Sequence, residues 1–178
     1  QSVPLLFQKE SRRHSILFNH LKSFIGMKEL TLTTHVKVYQ YDELSEEDRK
    51  LIDKAKEATG RSYAPYSQFA VGAAALLSDG TIVTGTNQEN VAYPSGICAE
   101  RTTLFYANPQ YPDQAVRVLA IAAKTEGDFI GKPISPCGAC RQVMAETEKR
   151  YGQPMRILLY GKQGIYEIEN VAGLLPLA

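Results

Sequence analysis

Three cysteines, Cys98, Cys137 and Cys140, are the only ones in the 178 residues. Cys98 opens "CAERTTLF", with Glu100 and Arg101 close behind it, and the other two form "PCGAC". Cys137 and Cys140 stand at positions i and i+3, which share one face of a helix. A helix N-terminus favours thiolate over thiol, and both segments read as helix starts. If those two starts lie side by side, three thiolates converge on one point. Three protein ligands with one open position is the coordination of a catalytic zinc. Such a metal lowers the pKa of water to about 7, and a nearby carboxylate can then take its proton. Glu100, two residues after Cys98, is placed to lean towards that open position. Zinc with three thiolates carries excess negative charge. Arg101, donating hydrogen bonds to sulfur, would draw some of it away.

Other readings of the same residues stand beside this one. A structural zinc needs a fourth ligand, and the only histidines are His14, His20 and His35, all far upstream. A redox Cys-x-x-Cys pair leaves Cys98 without a role. Buried cysteines can also act as small apolar residues. Glu100 fits the first turn of any helix, and Arg101 fits a solvated surface.

The elements that must position these residues follow from pattern. Ser45 and Asp48 resemble a capping box that opens a helix with Leu51, Ile52, Ala55 and Ala58 on its apolar stripe. Gly60 is expected to end that helix in the left-handed conformation. Residues 34–44 read as a short extended segment. A buried strand is expected over 69–77, a returning strand over 81–87 (after a turn at 78–80), a nearly continuous apolar strand over 116–123, and two more over 155–161 and 164–170. Helices are expected from about Cys98 to Asn108 and from about Cys137 to Tyr151. Alternating helices and strands predict an α/β fold, a three-layer α/β/α sandwich on a mixed sheet of about five strands.

Composition narrows the function. Twenty basic residues face 19 acidic ones, a net charge of +1. That balance offers no electrostatic footprint for nucleic acid or an anionic membrane. No apolar run approaches the roughly 20 residues needed to span a bilayer. Few cysteines without a framework spacing fit a reducing, cytoplasmic setting. Residues 1–26 stand apart, with four basic residues and one acidic. They are expected to be an N-terminal extension not native to the domain, with an amphipathic helix on Ile16, Leu17, Leu21 and Phe24 as the alternative. The remaining 27–178 form a single domain.

"CAER" followed by "PCGAC" resembles the three-cysteine branch of the zinc cytidine deaminases. The similarity extends through "YAPYSQFAVGAAAL", "TGTNQENVAYPSGICAERTTLFYA", "SPCGACRQVMAE" and the closing "LLP", over roughly residues 40–178. It implies a cytidine deaminase-like fold with one zinc per subunit on Cys98, Cys137 and Cys140, and Glu100 as the catalytic proton carrier. It further implies that Phe69 packs on the pyrimidine ring and that Asn87 and Glu89 bind the ribose hydroxyls. Backbone at Ala99 would address the base, and Arg101 and Gln142 would temper thiolate charge. Tyr93 would reach in from a neighbouring subunit of a homotetramer. The activity implied is hydrolytic deamination of cytidine or 2'-deoxycytidine in pyrimidine salvage. A deaminase of another cytosine nucleoside, such as blasticidin S, and a non-catalytic zinc-stapled interaction domain are the alternatives. Family members often carry an aromatic beyond "LLP", where this sequence reads "LLPLA".

Overall fold

The computed structural model describes residues 28–177. The expectations for residues 1–26 and for His14 and His20 lie outside them. All elements named here belong to the unit Thr33–Ala178.

Strands β1 (Lys37–Tyr39), β2 (Phe69–Leu77), β3 (Ile82–Thr86), β4 (Val116–Thr125), β5 (Asp128–Phe129), β6 (Arg156–Gly161) and β7 (Gly164–Ile168) form one sheet. Its order is β1-β7-β6-β4-β2-β3, with β5 paired to β4. Among the described strands only the β4–β6 pair is parallel. The sheet is therefore mixed, as expected, but has seven strands rather than about five. The additions are the extended segment at β1 and the two-residue β5, which is too short to show a period of two.

Among the described residues three α-helices cover it. Helix α1 (Glu46–Ala58) lies on one face, where Leu51, Ile52 and Ala55 pack on Ala74, Leu76, Val118, Ala120 and Leu158. Helices α2 (Ala99–Gln110) and α3 (Gly138–Tyr151) lie on the other, where Leu104, Ala107 and Met144 meet Ala73, Ala75, Leu119, Ile121 and Ile157. Successive strand residues thus feed opposite cores, which explains the nearly unbroken apolar runs of β2 and β4. Burying one Leu or Ile in this way stabilises by about 1.5–3 kcal/mol.

Ser45 caps α1 by accepting a hydrogen bond from the Asp48 amide at 3.1 Å. The other half of the expected box is absent, because the Asp48 carboxylate binds Arg156 instead. Nor does Gly60 stop the helix. The chain turns through a 3-10 segment, Thr59–Arg61, with its C-cap residues in ordinary right-handed or extended conformations. The left-handed stop occurs at Gly152 (φ 62°), after α3.

The sheet topology selects one end for chemistry. β2 runs antiparallel to both β3 and β4, so its start lies beside their ends. The chain leaving β3 leads to α2, and the chain leaving β4 leads to α3. Both helix N-termini consequently face the end of the sheet where Phe69 begins β2.

Candidate metal centre

Cys98 is the N-cap of α2 and Cys137 the N-cap of α3, with Cys140 in the first turn of α3. Their sulfurs come together from two helices. Cys98 Sγ is 3.8 Å from Cys137 Sγ, which is 3.4 Å from Cys140 Sγ, and all three lie within 4.8 Å of one another. Tetrahedral zinc with bonds of about 2.3 Å separates two sulfurs by about 3.8 Å. The donor set and its spacing therefore fit zinc. Among the described residues no histidine or carboxylate joins this cluster of possible ligands.

The helix that carries Cys98 is brought close to β3 by a missing side chain. A Cβ on Gly85 would sit 2.7 Å from the Thr103 amide and 3.1 Å from the Ala99 carbonyl. Thr103, fully buried, donates to that same Ala99 carbonyl at 2.8 Å. Ala99 is itself completely buried at the first helical position. The 87–97 loop is folded back by paired backbone hydrogen bonds of 2.9 Å between Gln88 and Ile97. Cys98 and Glu100 are thus fixed by backbone packing.

Electrostatics differ sharply within a few residues. Contact with the Cys140 thiol lowers the Cys98 pKa to about 5 against the opposing effect of burial, and Arg101 adds to the lowering. Arg101 Nη2 stands 3.5 Å from Cys98 Sγ, and that contact raises the pKa of Arg101. Its Nε is buried without a partner. The Cys140 thiol moves up, because an adjacent Cys98 thiolate disfavours a second charge and burial adds to it. Glu100 is only 5% exposed. Burial raises its pKa, and the Cys98 charge pushes the same way. A carboxyl whose pKa is raised by burial beside a metal-ready cluster suits proton transfer in both directions.

The other expected contacts are arranged as follows. Phe69, half-buried, starts β2 at the end of the sheet where the sulfurs lie. Asn87 Oδ1 accepts from the Val71 amide at 2.8 Å and from Ser62 Oγ at 2.5 Å, while Nδ2 donates to the Phe69 carbonyl at 2.9 Å. An amide nitrogen has two hydrogens, so one remains for another acceptor. Glu89 Oε2 accepts from the Tyr66 and Ser67 amides at 2.9 and 3.2 Å. Hydrogen bonding, chiefly from the Ser67 side chain, holds its pKa below the usual carboxylate value. Tyr93 is 91% exposed on a 3-10 turn.

Gln142 is exposed, and no side-chain hydrogen bond joins it to a sulfur among the described residues. Two positions after Cys140, it is turned by about 200° around the helix. There it lines a concavity of about 600 Å³ with Glu148, Gly152, Asn170 and Leu175, and none of the three cysteines. Sequence reasoning missed Arg141, whose guanidinium binds around the start of α3. It also missed Ser62 and Thr103, whose bonding partners are 25 and 30 residues away in the chain.

Known proteins agree with this geometry. Residues 45–151 match the family model described as the cytidine and deoxycytidylate deaminase zinc-binding region. The cytidine deaminase of Sporosarcina psychrophila is 46% identical over 127 residues, 71% of this chain and 87% of that protein. That of Halalkalibacterium halodurans is 42% identical over 126 residues, 71% of this chain and 89% of its own. The crystal structure of cytidine deaminase from Burkholderia pseudomallei superimposes with a TM-score of 0.62 at 38% identity, covering 76% of this chain and 99% of that one. The chain belongs to the zinc-binding cytidine and deoxycytidylate deaminase family.

Proposed function

We propose that this enzyme converts cytidine or 2'-deoxycytidine to uridine or 2'-deoxyuridine by hydrolysis, releasing ammonia. The observation that carries the reading is the meeting of three sulfurs from two helix starts beside a buried glutamate. Zinc on Cys98, Cys137 and Cys140 would supply an acidified water as the nucleophile. Glu100 accepts that water's proton and passes it to ring nitrogen 3 as oxygen adds at carbon 4. Glu100 then carries the second proton to the exocyclic amine, the carbon–nitrogen bond breaks, and ammonia leaves. Arg101 holds the Cys98 thiolate and withdraws charge from it. Phe69 packs against the ring, and the backbone at Ala99 addresses the base. The free Nδ2 hydrogen of Asn87 and the Oε1 oxygen of Glu89 bind sugar hydroxyls. An ionised Glu89 there also disfavours a phosphate on the sugar.

Tyr93 and Val91, 91% and 85% exposed, support a shared site in which Tyr93 closes on a neighbouring subunit of a homotetramer. Near-neutral charge argues against a nucleic-acid substrate. Among the described residues no helix is long and apolar enough to cross a membrane. A cytoplasmic role in pyrimidine salvage accords with the reducing conditions that free thiolates require.

One assay tests this. Absorbance is followed with cytidine, deoxycytidine, cytidine monophosphate and blasticidin S as substrates. The two nucleosides lose the cytosine signal and the monophosphate does not. Turnover of blasticidin S alone, or of none, contradicts the proposal. Light scattering then gives the subunit number.

A further inference from the structure

Cys137 is the exposed member of the three sulfurs, and the arm that leads to it packs Ile130 and Ile134 on the core but makes few hydrogen bonds. Between β5 and α3 the chain from Ile130 to Pro136 has no regular structure. Its backbone bonds at Ile130 and Gly131 reach β4 and the turn after β6. From 132 to 136, every hydrogen bond among the described residues comes from one side chain, Arg141. Its Nε donates to the Pro136 carbonyl at 2.8 Å, and Nη2 donates to Ser135 Oγ at 2.8 Å. Nη1 donates to the Leu174 carbonyl at 2.9 Å, in the turn that follows β7. The Arg141 backbone amide also donates to the Cys137 carbonyl at 3.0 Å.

This placement runs against helix electrostatics. A cation in the first turn of a helix faces the positive end of the dipole. Its presence there calls for a compensating gain, and the three oxygens supply it through a planar fork that an ammonium cannot reproduce. We infer that Arg141 is a positioning residue for the metal: it clamps the Ser135–Pro136 arm to the Leu174 turn so that Cys137 is held at the other two sulfurs. The role of Arg101 differs, since that residue touches sulfur directly. The inference rests on the zinc reading given above.

The test measures zinc release to a chromogenic chelator from the zinc-loaded protein, together with thermal midpoints of the loaded and metal-free forms. Wild type is first assayed for one zinc per chain; absence of zinc there sinks the zinc reading itself. Losing a partner that orients a metal ligand typically costs about 10–100-fold in affinity. Arg141→Met is therefore expected to release zinc at least about tenfold faster, with the metal-free midpoint little changed. Arg141→Lys, which keeps the charge but not the fork, is expected to release nearly as fast as Arg141→Met. Ser135→Ala, which removes one acceptor of three, should give a smaller increase. Zinc-loaded wild type with an unchanged release rate in Arg141→Met overturns the inference alone. So does full rescue by lysine, which would make the effect one of charge, or an equal fall of both midpoints.

Discussion

Two clusters of charge sit at opposite ends of the sheet, and they are built on different principles. At one end Arg156, the first residue of β6, binds Asp48 with both terminal nitrogens at 2.6 and 3.0 Å and Glu167 at 2.7 Å. Lys37 reaches Glu167 at 3.1 Å and the exposed Glu169 at 3.0 Å. Burial opposes the charge on Arg156, but the two carboxylates outweigh it and its pKa rises. Every ionised group there has its counterion within the chain. At the other end, among the described residues one guanidinium, that of Arg101, contacts the sulfur cluster beside Glu100. Were all four acidic groups ionised, negative charge would be in excess, and Glu100 is buried without an ion pair among the described residues. Removing one partner from a cluster of paired charges strands a buried charge, whereas a cluster of acidic groups with few counterions can take a cation.

Breaking the unbalanced end should have the largest effect. Cys98→Ala removes a ligand, and both zinc content, by metal analysis, and cytidine turnover are expected to fall below detection. Protein with bound zinc and activity would contradict the assignment. At the balanced end, Asp48→Ala leaves Arg156 with one carboxylate and is expected to cost about 2 kcal/mol of unfolding free energy. Denaturant titration measures that loss, while zinc content and kcat stay unchanged. If kcat fell with stability, the two ends would not be independent.

The smallest effect concerns Glu89. Its folded pKa is below the ordinary value of 4.5, so its ionised form favours the folded state. That contribution is complete above the unfolded pKa and disappears as pH falls through the lower folded value. Thermal midpoints of Glu89→Gln against wild type should therefore differ in their pH dependence below about pH 4.5. Parallel curves would show that the Tyr66 and Ser67 amides do not favour the charged form.

The same contrast separates what the sequence disclosed from what it concealed. Cys98, Glu100 and Arg101 were legible because spacing along one helix start implies their mutual position. Cys137 and Cys140 were legible for the same reason. The three-layer fold followed from the alternation of helices and strands. Asp48 was readable as a capping residue, but its partner Arg156 is 108 residues away, and no local pattern encodes that pair. Gly60 carried a stop signal that the 3-10 turn overrode. Gly85 gave no signal at all, since its purpose appears only when α2 crosses β3. Gln142, expected near the sulfurs by resemblance, lies on another face of α3.

On the proposed function, zinc held by the three cysteines would bind solvent while the Glu100 carboxylate moves protons. Glu100→Gln separates them, because an amide keeps the shape and loses the basicity. Metal analysis and the cytidine absorbance assay on the same preparation should show one zinc per chain with turnover lower by at least about 10²–10⁴-fold. Near-normal turnover with zinc in place would contradict the account.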